Sequence, residues 1–286
     1  MTEEQTEDRF ESGDFNRAII EEFRANHGRV GGMFEGARLL LLTTTGTRSG
    51  RRRTTPVAFL PDGERLLVIA SAGGGDRHPG WFHNLRTNPR VTVENGVFVM
   101  EADAVVVEGE ERDALFARAA EADPGWAEYQ AGTERTIPVV ALHPVSGTPV
   151  EQRMGQGLKV LHDAFRRELA MIRDEVARSG PNLGAQLRIN CLTVCQGLGR
   201  HHTMEDAGML PGIAEARPEL AGVVARLGEE HKRVESLLER LKSRLDAPAA
   251  GPADLGAEVD RLINELEAHL DYEEEQLVPV LDAMAP

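Results

Sequence analysis

The amino-acid sequence predicts an α+β protein of two domains, a small β-barrel followed by an antiparallel four-helix bundle. The length of 286 residues suits about two ordinary domains. Short β-type runs with glycine-rich breaks fill the first half, and long helical patterns fill the second. The predicted segments are an acidic tail at 1–13, a first domain at 14–147, a linker at 148–157 and a second domain at 158–286.

The first domain is predicted to open with a helix at 15–26, whose residues Ile19, Ile20 and Phe23 share one side. The β-type runs are ARLLLLTTT, VAFL, RLLVIAS, RVTVE, VFVMEADAVVV and IPVVAL. Asn95-Gly96, between two of these runs, is a strong signal for a hairpin turn. With one further helix predicted at 110–122, six strands and few helices favour a small barrel.

The second domain is predicted to contain four long helices joined by short breaks rich in proline and glycine. Their expected spans are 158–178, 184–208, 218–245 and 255–284. Four helices with short connections make an antiparallel bundle.

Charge and composition exclude several classes of function. A formal net charge of -15 disfavours general binding to nucleic acid or anionic lipid. No apolar run approaches the ~18 residues of a membrane span, and the first residues lack a secretory pattern, so we expect a cytoplasmic protein. Cys191 and Cys195 do not form a disulfide framework. We interpret them as small core residues, with a redox role as the alternative.

Histidines occur on every predicted helix of the bundle: His162, His201, His202, His231 and His269. Aligning HHTMEDAGMLP with HLDYEEEQLVP places His201 opposite His269. The same alignment places Glu205 opposite Glu273. Each histidine–glutamate pair is spaced i, i+4 and therefore shares one helix face.

The third long helix repeats this spacing with His231 and Glu235. Imidazole nitrogen and carboxylate oxygen suit iron, and a pair of irons needs bridging carboxylates together with histidines. The same spacing also occurs in ordinary surface contacts between histidine and glutamate. Two alternatives stay open: His202 with Asp206 on the second helix, and Glu274 in place of the preceding glutamate on the last.

The segments HDAFRREL, HHTMEDAGMLP, EEHKRVESLL and HLDYEEEQLVP resemble the hemerythrin-type HHE cation-binding domain over the whole bundle. The resemblance implies a hemerythrin-like bundle with two iron ions that bind or sense O2, peroxide or NO. The implied ligands are His162, His201, Glu205, His231, Glu235, His269 and Glu273. Glu235 stands where classical hemerythrins have a second histidine, which argues against simple reversible oxygen carriage.

Two segments of the first domain carry its chemistry. TTTGTRSGRRRTTPVAF places Arg48, Arg51, Arg52 and Arg53 after a glycine turn. Arginines with hydroxyls and backbone N–H groups suit a phosphate, although solvated arginines on an exposed turn are the alternative. ASAGGGDRHPGWFHNL contains three consecutive glycines, which allow close approach of the backbone to a ligand.

These segments, with PGWAEYQAGTERTIPVVALHP, resemble the deazaflavin-dependent nitroreductase family over about residues 15–147. That family has an FMN-binding split-barrel-like fold and uses coenzyme F420. The implied coenzyme-binding residues are Arg48, Ser49 and Arg53 at the phosphate, Thr55, Pro56 and Val57 along the coenzyme, Ala70, Ser71 and Ala72 near the deazaflavin ring, and Gly80, Trp81 and Asn84 completing the pocket.

The resemblance implies transfer of a hydride from reduced deazaflavin to a small planar acceptor, a quinone or a nitro compound. Tyr129 would donate a hydrogen bond or proton to the reduced acceptor or pack beside it. Trp126 and Asp123 stand where the family carries tyrosines, which argues against nitroimidazole reduction specifically. The resemblance also allows a homodimer.

Two alternatives remain for the whole chain. One is a non-catalytic protein that binds the coenzyme and senses iron or oxygen. The other is an enzyme that uses FMN or haem, because split barrels also host those groups.

Overall fold

The structure is a computed structural model that describes residues 3–179, 183–246 and 252–284, with side chains for 14–179, 183–245 and 255–284. The chain divides into two compact units, Met1–Val150 and Glu151–Pro286. Side chains of the predicted tail, residues 1–13, lie outside the described part. The helix that follows begins at Glu3 instead of residue 15, as glutamate-rich segments have good helix propensity.

The first unit is a closed antiparallel barrel with strand order β1-β2-β3-β6-β5-β4, which confirms the predicted fold class. The strands are β1 Leu39–Thr45, β2 Arg52–Asp62, β3 Arg65–Ile69, β4 Arg90–Glu94, β5 Phe98–Val107 and β6 Val139–Pro149. The helices are α1 Glu3–Ala25, α2 Gly80–Thr87, α3 Gly109–Ala122 and α4 Gly125–Ala131, with 3-10 turns at Gly32–Phe34 and Ala72–Gly74.

The unbroken leucine run of β1 is explained by burial of both faces of the strand. Leu40 and Leu42 point into the barrel core. Leu39 and Leu41 face outward, where they pack against Phe23 and its neighbours on α1. A strand covered on both sides needs no alternation of polar and apolar residues.

The β4–β5 hairpin turns at the predicted Asn95-Gly96 pair. The Asn95 side-chain oxygen accepts hydrogen bonds from the N–H groups of Val97 and Phe98, at 3.1 and 2.8 Å. Gly96 has a φ of +92°, and a Cβ atom there would lie 2.4 Å from the carbonyl oxygen of His27. Glycine is therefore required both by the left-handed backbone and by the close approach of the segment after α1.

The second unit is helical and contains the four long helices that the sequence predicts. Its helices are α5 Met154–Arg178, α6 Ala185–Met204, α7 Leu210–Ala216, α8 Ala221–Asp246 and α9 Pro252–Met284, with a π-helical turn at Glu205–Met209 and a 3-10 turn at Pro218–Leu220. None of the described helices is long and apolar enough to cross a membrane.

Two boundaries differ from the prediction. The connection between β6 and α5 covers only residues 150–153, because the last strand and the first bundle helix both extend into the expected linker at 148–157. The predicted helix 184–208 is divided by the π-helical turn, and α7 continues it. Pro211 lies in the first turn of α7, directly after the π-helical turn.

Both cysteines lie in the leucine-rich core of the bundle. Burial raises the pKa of the Cys195 thiol to about 11. A protonated thiol in apolar surroundings reacts slowly with oxidants, so the structure favours the packing role over the redox role.

A pair of glycine substitutions tests the barrel geometry. Gly96→Ala should destabilise the first unit by about 3 kcal/mol or more, because its new Cβ meets backbone atoms. Gly63→Ala, at a φ of +65° with open space around it, should cost only about 1 kcal/mol of backbone strain. Urea unfolding followed by tryptophan fluorescence measures this unit, since Trp81 and Trp126 both lie in it. Equal losses of unfolding free energy in the two variants would contradict the close approach of Gly96 to the His27 backbone.

Candidate metal centre and coenzyme site

Two groups of buried histidines and glutamates converge inside the bundle. The first group is His162, His201, Glu205 and Glu273, and the second is His202, His231 and His269. Within each group, one ligand atom from every residue lies within 4.8 Å of the others. The side chains come from α5, α6, the π-helical turn, α8 and α9, so only the assembled bundle forms the cluster.

The end of α6 directs three ligand-type side chains inward within five positions. His201, His202 and Glu205 are all buried, although residues at such spacing span more than one face of a regular α-helix. The π-helical turn begins at Glu205. Such turns insert one extra residue into the helical repeat and are frequent at functional sites.

Each buried carboxylate lies between the two groups. Glu205 Oε1 is 3.2 Å from His201 Nε2, and its Oε2 is 3.6 Å from His231 Nε2. Glu273 Oε2 is 3.6 Å from the Nε2 atoms of both His162 and His269. Each glutamate therefore reaches one histidine of each group.

Three of the histidines are oriented by carboxylates on their outer side. Each Nδ1 atom contacts one carboxylate oxygen: His162 with Glu274 at 3.0 Å, His231 with Asp206 at 2.7 Å and His269 with Glu230 at 3.1 Å. An ionised carboxylate can only accept, so Nδ1 carries the proton. The Nε2 lone pair then faces the interior of the cluster, as in carboxylate–histidine–metal arrangements.

The inner atoms of the cluster lack partners among the described residues. The buried atoms without a hydrogen bond include Nε2 of His202, His231 and His269 and both carboxylate oxygens of Glu205 and Glu273. Unpaired buried polar atoms are costly and rare in native proteins. Their convergence fits bound metal ions, and nitrogen with carboxylate oxygen fits iron.

Burial also sets the protonation of the cluster. Desolvation and the neighbouring imidazoles lower the pKa of His201 to about 3 and that of His202 to about 2. Both rings are therefore neutral near pH 7 and offer lone pairs. Desolvation raises the pKa of Glu205, with a further contribution from Glu273, and a metal ion would supply the counter-charge that favours the ionised form.

Six predicted ligands lie in the two groups: His162, His201, Glu205, His231, His269 and Glu273. Glu235 lies in neither group and is exposed, so the structure does not bring this predicted ligand to the cluster. The buried face of α8 runs through Leu227, His231, Val234 and Leu238, and Glu235 falls just beyond its edge. His202 occupies a place in the second group instead. The alternative pair, His202 with Asp206, does not come together in one group, because Asp206 contacts Nδ1 on the outer side of His231.

Glu230 was missed in the sequence because it adjoins His231 but contacts His269, which lies 39 residues further along the chain. The segment EEH gives no local signal for this pairing. The i, i+4 rule relates residues on one helix only, whereas Glu230 reaches from α8 to α9.

In the barrel, Asn84 on α2 holds the arginine-rich turn that follows β1. Its Nδ2 donates to Thr44 Oγ1 at 3.0 Å, and its Oδ1 accepts from the N–H of Thr47 at 3.3 Å. Gly80 is exposed at the start of this helix, whereas Trp81 packs in the barrel core. The structure therefore joins the two segments that the sequence singled out.

The guanidinium groups on this turn are mostly unpaired. In the described part of the chain, the side chains of Arg48, Arg51 and Arg53 make no ion pair or hydrogen bond. Arg52 differs, because it donates to Thr92 Oγ1. Ser49 Oγ accepts the N–H of Arg51 at 3.3 Å and closes the turn. Exposed cations without partners in an acidic protein suit an anionic ligand.

The alternation of β2 separates the next predicted residues. Arg53, Thr55 and Val57 share one face of the strand, and Val57 packs against the barrel core. Pro56 lies on the other face with Thr54, whose hydroxyl is 2.8 Å from Thr43 Oγ1. Arg52 shares the face of Pro56, so the two arginines that begin the strand point to opposite faces.

Arg135 organises the glycine-rich loop after β3 and was not singled out in the sequence. Its guanidinium donates to the carbonyl oxygens of Ala70, Ser71 and Gly75. It also lies 3.0 Å from Nδ1 of His78, which must accept because guanidinium only donates. The predicted ring-binding segment, residues 70–72, is thus held by one cation about 60 residues away.

The run of glycines after β3 also allows α4 to approach the backbone closely. A Cβ atom on Gly74 would lie 3.2 Å from the carbonyl oxygen and 3.4 Å from Cδ1 of Tyr129. Tyr129 is 40% exposed, and its ring centroid is 6.0 Å from that of Trp126. Of the two predicted catalytic residues, Tyr129 therefore lies beside the loop that is expected to contact the deazaflavin ring, whereas Trp126 packs against the cluster of Leu115 and Phe116.

A cavity of about 750 Å³ lies on another side of α2. It is bounded by Phe82, Leu85 and Arg86 of that helix, by the end of β5 and by the start of α3. None of the predicted coenzyme residues lines it, so it does not coincide with the predicted site.

Comparisons with known proteins match the two units separately. The family model for F420H(2)-dependent quinone reductase matches residues 15–144, and that for the hemerythrin HHE cation binding domain matches residues 156–281. An F420H(2)-dependent quinone reductase of Mycobacterium tuberculosis (strain ATCC 25618 / H37Rv) is 38% identical over 124 residues, which cover 42% of this chain and 83% of the relative.

A putative F420H(2)-dependent quinone reductase of the same strain is 34% identical over 105 residues, covering 37% of this chain and 88% of the relative. A solved F420-H2 dependent reductase shares 39% identity and covers 37% of this chain and 94% of its own, with a TM-score of 0.35. Through residues 15–144 the chain belongs to the F420H(2)-dependent quinone reductase family, and residues 156–281 match the model of the hemerythrin HHE cation binding domain.

Proposed function

We propose that the protein transfers a hydride from reduced coenzyme F420 to a small planar acceptor, a quinone or a nitro compound. We further propose that the bundle holds two iron ions that bind or sense O2, peroxide or NO. Family membership and the unpaired arginines support the reductase. The convergence of unpartnered imidazole and carboxylate atoms in the bundle carries the metal assignment.

The barrel residues would bind and orient the coenzyme, which supplies the hydride chemistry when bound. Arg48, Ser49 and Arg53 would contact its phosphate, and Asn84 keeps their turn in place. Arg135 fixes the loop against which the deazaflavin ring would lie. The phenol of Tyr129 would donate a hydrogen bond to the reduced acceptor.

The bundle residues divide between two metal positions. His162 and His201 would hold one ion, and the three histidines of the second group would hold the other, with Glu205 and Glu273 between them. The first ion would have fewer protein donors. An external ligand binds most readily where protein donors leave a coordination position open.

The ligand set is tested by comparing His202→Ala with Glu235→Gln. After anaerobic reconstitution, we expect about two irons per wild-type chain, as a bridged carboxylate site requires. His202→Ala should retain about one, because it removes one of three imidazoles from the second position. Metal analysis gives the stoichiometry.

The matched control is Glu235→Gln, which should keep the full iron content, as Glu235 is exposed and outside both groups. Loss of iron from this variant would favour the ligand set predicted from the sequence. Absence of iron from the wild-type protein would refute the metal assignment.

The coenzyme site is tested by Arg48→Ala and Arg53→Ala. Each should weaken binding of reduced F420 about tenfold, the loss expected when one charge-assisted phosphate contact is removed. Arg90→Ala is the control, because Arg90 is exposed on the same barrel but paired with Asp103 at 2.8 Å. Coenzyme fluorescence gives the Kd, and oxidation of reduced coenzyme by menadione gives turnover. Equal Kd values in all variants would sink this assignment.

A further inference from the structure

Two chains of contacts connect surface arginines to the metal cluster. In the first, Arg166 Nη1 donates to Glu274 Oε1 at 2.7 Å, and the same oxygen lies 3.0 Å from His162 Nδ1. In the second, Arg226 Nε donates to Glu230 Oε1 at 2.8 Å, and Glu230 Oε2 lies 3.1 Å from His269 Nδ1. One chain ends in each group of ligands.

Both arginines are themselves held in place by α9. Arg166 Nη2 also contacts Asp271 at 2.8 Å. Arg226 places its guanidinium carbon 3.5 Å from the ring centroid of Tyr272, a favourable cation–π contact. Asp271 and Tyr272 directly precede Glu273, so both arginines are anchored on the helical turn that supplies a bridging carboxylate.

This arrangement does more than pair surface charges. A guanidinium fixes the direction of a carboxylate through a charge-assisted hydrogen bond. The fixed carboxylate keeps the proton on Nδ1 of its histidine and sets the ring orientation, so Nε2 points to the metal. His231 offers an internal contrast, since its partner Asp206 is half-exposed and has no arginine contact in the described part of the chain.

We propose that Arg166 and Arg226 are positioning residues of the metal centre, each orienting one ligand of one metal position through an intervening glutamate. The inference rests on the proposed iron site. His162 and His269 each contact a glutamate that an arginine holds in place, whereas the partner of His231 is held by no arginine in the described part of the chain. Removal of either arginine should therefore weaken the metal position that its chain serves.

The structure supplies a closely matched control on α8. Arg226 is 55% exposed and pairs with Glu230, which is 9% exposed. Arg240 is 52% exposed and pairs with Glu258, which is also 9% exposed. Each glutamate also contacts a second arginine, Glu230 with Arg233 and Glu258 with Arg261. Glu258 contacts no histidine in the described part of the chain, so Arg240→Gln removes a similar ion pair away from the proposed metal ligands.

The experiment titrates full-length protein anaerobically with Fe(II) in competition with a chelator. Arg226→Gln and Arg166→Gln should each weaken one of the two iron equivalents about tenfold, the low end of the loss expected when the direct partner of a ligating histidine is removed. Arg240→Gln should stay within about twofold of wild type, as expected for a surface pair. Arg226→Lys should restore part of the affinity, and the reduction potential of the loaded centre should move in Arg226→Gln and Arg166→Gln but not in Arg240→Gln.

Three outcomes would overturn the inference. In one, all three glutamine variants bind Fe(II) and set the potential alike. In another, Arg226→Gln lowers the melting temperature of the metal-free protein while affinity and potential stay unchanged, which indicates a structural role. In the third, wild-type protein takes up no Fe(II), and the proposed metal function then fails together with this inference. If wild-type protein binds its full iron content and the variants keep the same Fe(II) affinity, only this inference fails.

Discussion

The bundle depends on the burial of two carboxylates among five imidazoles. Glu205 and Glu273 are removed from solvent and have no hydrogen-bond partner in the described part of the chain. Such groups are expensive to bury unless an opposite charge lies beside them. Bound cations would reverse this cost, so the metal would contribute to folding as well as to function. The π-helical turn and the outer carboxylates serve the same cluster.

The barrel uses charge in the opposite way. Its predicted phosphate-binding arginines, Arg48 and Arg53, are exposed and make no ion pair or hydrogen bond in the described part of the chain. Other side chains hold the arginine-rich turn and the glycine-rich loop in place. Asn84 holds the arginine-rich turn through a side-chain and a backbone contact, while Arg135 holds the glycine-rich loop through carbonyl oxygens. Because these supports do not use the ligand-facing arginines, the cations remain available for an anion. The two units thus prepare their sites by different physics, one by burial and one by exposure.

Local periodicity made much of this predictable. Strand runs, the Asn95-Gly96 turn and the four long helices follow from the spacing of apolar residues and turn formers along the chain. The i, i+4 spacing brought His201 and Glu205 onto one helix face, and it did the same for His269 and Glu273. These relations involve neighbours within one element, so the sequence by itself contains them.

Tertiary packing decided what local spacing could not. The sequence gives no reason to prefer His202 over Glu235, but assembly of the bundle turns the first inward and leaves the second exposed. Glu230 reaches His269 across 39 residues, and Arg135 reaches the carbonyl of Ala70 across 65. Which face of a helix is buried, and which distant side chain completes a hydrogen bond, depends on how the elements pack together. The sequence thus determined the fold class and most ligand types, while only the folded chain determined their orientation and support.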